Sequence, residues 1–122
     1  MTDRELLELA AKAAGIAVSW KTWVTGKAAE FGSIKYTKHE GFLAGAKQWS
    51  PLTDDGDALR LAVKLRLNVI HRSTSDGVMR VTAEVDWGIF HEDFHEDHGS
   101  DPYAATRRAI TRAAAELGKE MP

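Results

Sequence analysis

The spacing of apolar positions changes repeatedly along this chain, and each change marks a predicted element. Leu6, Leu9, Ala10 and Ala13 recur at helical spacing. Thr2-Asp3-Arg4-Glu5 ahead of them reads as a capping box, and Gly15 suits the left-handed residue that closes a helix. From Ile16 the period falls to two: Ile16, Val18, Trp20, Thr22 and Val24 share one face, with Ser19, Lys21 and Trp23 on the other. Gly26 marks a turn, and Phe31–Thr37 and Phe42–Ala46 are shorter strand candidates. Pro51 then breaks the chain, Thr53 or Asp54 can cap a helix, and Asp54, Asp55 and Asp57 place negative charge at its first turn. Leu59, Ala62 and Val63, with Leu61 and Leu65 beside them, predict its buried stripe.

Leu67–Ser73 is rich in branched residues, and Ser75-Asp76-Gly77 carries hairpin-turn chemistry. Met79, Val81, Ala83, Val85, Trp87 and Ile89 alternate with Arg80, Thr82, Glu84 and Asp86, which predicts a strand. Asp101-Pro102 opens the last helix with a cap residue and a proline whose missing N–H costs nothing there. Tyr103, Ile110, Ala113, Ala114 and Leu117 mark its buried side, and Gly118 is expected to stop it. The order is helix, two or three strands, helix, two strands, helix. Short connections make the expected fold α+β: one domain spanning 1–122, a largely antiparallel sheet of about four to five strands, and three helices packed mainly on one face.

Composition narrows the function classes. At 122 residues and 43% hydrophobic, the chain can bury one core. It has no apolar run long enough to span a bilayer and no signal-peptide pattern, so no membrane partner and a cytoplasmic location are expected. Cysteine is absent, which excludes disulfides and thiolate chemistry. A formal net charge of −2 lacks the basic footprint of a phosphate-backbone binder, and nucleic acid is a disfavoured partner.

Three segments carry a family resemblance: Trp49-Ser-Pro-Leu-Thr-Asp-Asp-Gly-Asp-Ala-Leu-Arg-Leu-Ala-Val-Lys-Leu65, the C-terminal Asp101-Pro-Tyr-Ala-Ala-Thr-Arg-Arg-Ala-Ile-Thr-Arg-Ala-Ala-Ala-Glu-Leu-Gly118, and the opening Thr2-Asp-Arg-Glu-Leu-Leu-Glu-Leu-Ala-Ala-Lys-Ala-Ala-Gly15. Together they resemble a group of small proteins from temperate phages and prophages and, more loosely, are similar to the phage NinX-like family. The resemblance covers a little under half the chain and implies shared architecture and a phage origin in a bacterial host. No catalytic residues come with it. Together with the lack of catalytic machinery in the chain, that origin leads to the expectation of a small accessory protein that acts by binding a host protein as modulator or inhibitor, counter-defence being one such process.

One segment matches a catalytic pattern. His91-Glu92-Asp93-Phe94-His95 is a literal H-E-x-x-H, in which two histidines one helical turn apart bind zinc and the glutamate is general base. Its context is polar and short, and it follows a strand, so a solvated acidic loop is the stronger reading and no cofactor is expected. Within that loop His91, His95 and His98 are the candidate zinc ligands. Glu92, Asp93, Glu96 and Asp97 around Phe94 form a candidate partner-binding surface, joined by Trp23. Of the other tryptophans, Trp20 and Trp87 are expected in the core, and Trp49 is expected to be partly buried. Arg107, Arg108 and Arg112 form a basic side of the last helix, a candidate anion site in an RNA-binding reading, although a solvated face near the negative end of the helix dipole is the stronger account of them.

Overall fold

The computed structural model describes residues 1–25, 36–42, 48–87 and 90–122, with residues 21–25, 36–42 and 90 as backbone. In chain order the elements are α1 (Asp3–Ala14), β1 (Ser19–Thr25), β2 (Tyr36–Phe42), β3 (Gln48–Trp49), α2 (Asp55–Leu65), β4 (Asn68–Ser73), β5 (Met79–Trp87), β6 (Phe90–Asp97) and α3 (Pro102–Glu120). The fold is α+β, with three helices and antiparallel strands among the described residues, as the patterning predicts. The described strands form two sheets rather than one, ordered β1-β2-β3 and β4-β5-β6. β2 runs on through residues 38 to 41, which separate the two strand candidates in the sequence, and ends at Phe42; the rest of the Phe42–Ala46 candidate, the turn at Gly26 and the start of the Phe31–Thr37 candidate lie outside the described residues.

Capping chemistry sets the helix starts. The Thr2 hydroxyl accepts from Glu5 N, Asp54 from Asp57 N, and Asp101 from Tyr103 N and Ala104 N, so each helix has an orphan amide satisfied by the residue before it. Gly15 closes α1 at φ 68°. Arg66 takes the equivalent left-handed position after α2, at φ 56°, where a side chain is a disadvantage.

The core is a layer between the β4-β5-β6 sheet and the helices. Val81, Ala83 and Val85 of β5 are fully buried beneath Ala109, Ile110, Ala113 and Ala114 of α3, and Ala10, Ala11 and Ala14 of α1 close the other side. Small residues let α1 and α3 approach closely, and Gly118 marks the tightest point. A Cβ there would lie 2.1 Å from the Leu9 carbonyl oxygen. Gly118 therefore does not stop α3, which continues to Glu120; its missing side chain is a packing requirement.

Strand register divides the sheet into two faces. Val81 pairs with Glu96, Ala83 with Phe94 and Val85 with Glu92, so Glu92, Phe94 and Glu96 share the helix-covered face. His71 and Val69 of β4 join them opposite Val81 and Ala83. Arg72, Arg80, Thr82, Glu84, His91, Asp93, His95 and Asp97 lie on the opposite, open face.

Candidate functional site

The acidic octet is a strand and not a loop. In a strand, residues four apart share a face but stand about 13 Å apart at about 3.3 Å per residue, too far to hold one ion. His91 and His95 accordingly lie apart on the open face, Glu92 points to the other face, and the zinc-peptidase geometry does not form. His95 Nδ1 lies 2.8 Å from the Thr82 hydroxyl, and His91 Nε2 3.8 Å from an Asp93 oxygen. His98 belongs to the helix side, where its Nε2 meets His71 Nδ1 at 2.9 Å. Among the described residues no group of three or more His, Asp or Glu side chains could hold a metal. The expected meeting of His91, His95 and His98 is thereby corrected: the pleat separates them.

The anchor role expected of Phe94 also changes. Its ring packs against the core, with the Arg112 guanidinium 5.7 Å from its centroid. Glu96 beside it is spent internally, 3.2 Å from Arg112 and 3.7 Å from Arg108. Glu92, Asp93 and Asp97 remain exposed, with Asp97 bonded to Arg80 at 2.9 Å. Trp23 sits in β1 with its Cα partnered to Lys38; its side chain lies outside the described residues.

The three arginines of the basic helix face have internal partners. Arg107 donates to the Leu52 carbonyl at 2.9 Å and to Asp55 at 2.6 Å. Arg108 reaches Asp3 at 3.3 Å. Arg112 donates to the His95 carbonyl at 3.1 Å as well as to Glu96. They tie α3 to α1, α2 and β6, and an anion would have to displace those contacts.

The most recognisable sequence block, residues 49 to 65, is a structural lock. Asp57 is buried and accepts from Ser50 N at 3.0 Å and from Arg60 at 2.8 Å. Gly56 leaves room for that guanidinium, since a Cβ there would lie 3.1 Å from it. Trp49, only 3% exposed, is sealed into the core. Trp20 also packs on the core, with Arg4 over its ring. Trp87, by contrast, is 44% exposed at the end of β5 and donates to the Leu65 carbonyl at 3.0 Å: it caps the carbonyl end of α2 instead of entering the core.

The site that patterning missed is an apolar groove of about 550 Å³ between α2, the start of α3 and β4. Ala58, Ala62, Val69 and Ile110 form its apolar wall, while Leu59 and Tyr103, 65% and 69% exposed, stand at its lip. Val63 continues the exposed ridge of Leu59 one turn on, at 69%. The periodicity reading put Leu59, Val63 and Tyr103 in the core. At about 100° per residue, however, Ala58, Leu61, Ala62 and Leu65 already fill one arc of α2, and Leu59 and Val63 fall beside it. The excess width of that stripe was the signal available. The Asp55–Arg107 ion pair and His71 supply the groove's polar groups, a mixture of mostly apolar wall and few polar groups that suits binding.

No described helix is long and apolar enough to cross a membrane. Comparison of the chain with family models, with curated proteins and with solved structures finds no match.

Proposed function

We propose that this chain is a small phage-encoded accessory protein that acts by binding a host protein and modulating it, with the α2–α3–β4 groove as the binding site. The observation that carries this reading is the pairing of exposed Leu59 and Tyr103 at the lip of an apolar groove beside an edge strand, with exposed Val63 one helical turn on from Leu59. Exposed large apolar side chains grouped in this way mark interaction sites, whereas scattered ones need no explanation. The helical resemblance to temperate-phage proteins supports the origin, and the internal pairing of Arg107, Arg108 and Arg112 weighs against a phosphate ligand.

The test is affinity capture from a bacterial host lysate with wild type and Leu59→Asp as baits. Leu59 is exposed, so the variant is expected to melt as wild type does. A specific host protein held by wild type and lost by Leu59→Asp is the expected result. Equal capture by both, or none by either, would remove the groove from consideration.

A further inference from the structure

The two free edges of the β4-β5-β6 sheet are not equivalent. Two hydrogen bonds set the phase of its backbone: His98 N donates to Met79 O at 2.9 Å, and Thr74 N to Val78 O at 2.8 Å. Alternation along the antiparallel ladders then turns the N–H and C=O groups of Arg80, Thr82 and Glu84 toward β4, and those of Met79, Val81, Ala83 and Val85 toward β6. It follows that Val69, His71 and Ser73 direct their backbone groups outward from β4, and His91, Asp93, His95 and Asp97 from β6.

The β6 edge is guarded. Arg112 occupies the outward carbonyl of His95 at 3.1 Å, and the strand carries charged or titratable side chains at nearly every position, the usual defence against a further strand. The β4 edge, Asn68-Val-Ile-His-Arg-Ser73, has a single charge and borders the apolar groove. Among the described residues nothing pairs with its outward groups.

Charge specifies what would pair there. Across the open face Arg72 stands directly opposite Arg80, a like-charge pair, and Arg80 turns away to bond Asp97 on β6. Arg72 forms no ion pair or hydrogen bond with any described residue. The row thus runs from Asp97 through Arg80 to Arg72 and ends without the carboxylate that would complete its alternation. A second copy of β4 cannot supply one, because residues 68 to 73 contain no acid.

We infer that the β4 edge accepts an extended segment of another protein, added as an antiparallel strand, in which apolar residues alternate with at least one carboxylate. Residues opposite Val69, His71 and Ser73 exchange backbone hydrogen bonds with them and project onto the groove side, against Leu59 and Tyr103. The residue opposite Arg72 projects onto the open face and carries the acid. The inference rests on the groove being the binding site and adds the form and chemistry of what enters it. Main-chain pairing of this kind supplies affinity and the alternate side chains supply selectivity.

The test uses a synthetic peptide, acetyl-Thr-Val-Glu-Leu-Thr-Leu-Thr-amide, whose Glu falls opposite Arg72 when its Leu residues face the groove. Fluorescence anisotropy of the labelled peptide is expected to show saturable binding below about 1 mM, and amide exchange is expected to slow at Val69, His71 and Ser73. Arg72→Glu should weaken binding roughly tenfold and should favour the same peptide with Lys in place of Glu. N-methylation of the peptide's two Leu amides should abolish binding, which mere insertion of an apolar side chain would survive. No binding, binding indifferent to N-methylation, or unchanged affinity in Arg72→Glu would overturn strand addition. So would a concentration-dependent dimer of the protein that competes with the peptide, since a second copy would then be the occupant. If a host protein is captured through Leu59 while the peptide fails, the groove reading stands and strand addition alone is wrong.

Discussion

Gly118 shows how a single residue type can be read correctly as special and incorrectly as to why. A glycine near a helix end suggests a terminator, but here it lets the Leu9 backbone approach α3. Gly118→Ala should therefore destabilise the fold by about 1–3 kcal/mol through overpacking, although alanine is the better helix former. A melting temperature equal to or above that of wild type would show that α1 can shift away freely. Asp76, in the β4–β5 turn, makes a smaller prediction. The Thr74 hydroxyl and the turn backbone hold its carboxyl below the usual carboxylate value. A depressed folded value means stabilisation that is present above the unfolded value, about 3.9, and lost as pH falls through the folded one. Denaturant titrations should accordingly place Asp76→Asn below wild type at neutral pH, with the gap closing in acid.

Among the elements, α2 separates two kinds of apolar residue that periodicity treats alike. Leu61 is 1% exposed at the centre of the core, and Leu61→Ala should cost about 2–5 kcal/mol. Leu59→Ala, one helical position outside the buried arc, should stay within about 0.5 kcal/mol of wild type. Chemical denaturation of the pair measures this directly, and equal losses would place Leu59 inside. β6 teaches the complementary lesson. Its residues read as a loop because charged or titratable side chains fill nearly every position, yet β5 offers a ladder along their whole length and packing Phe94 against the core compensates the polar strand. Tertiary pairing overrode weak strand propensity.

For the whole molecule, the strand at 91–97 decides the fate of the zinc motif. Glu92→Gln should leave stability unchanged, and zinc should not survive dialysis at one ion per chain. Metal analysis together with a melt after chelation checks both, and a chelator-sensitive melting temperature would mean that His71 and His98 recruit ligands. The sequence by itself determined the α+β class, the helix starts at Asp3 and Pro102 and, to within one residue, that at Asp55, the β5 strand and the burial of Leu61, because capping and short-range periodicity are local. It also showed that Cys chemistry is absent and that the chain lacks a basic footprint. Only the tertiary structure decided that the described strands form two sheets, that Leu59 and Tyr103 line a groove while Trp49 is sealed, that Arg107, Arg108 and Arg112 are spent on internal partners, and that Arg72 lies across from Arg80 without a counter-ion among the described residues. Each of these depends on which distant segments meet, and periodicity along one segment carries no information about its partner.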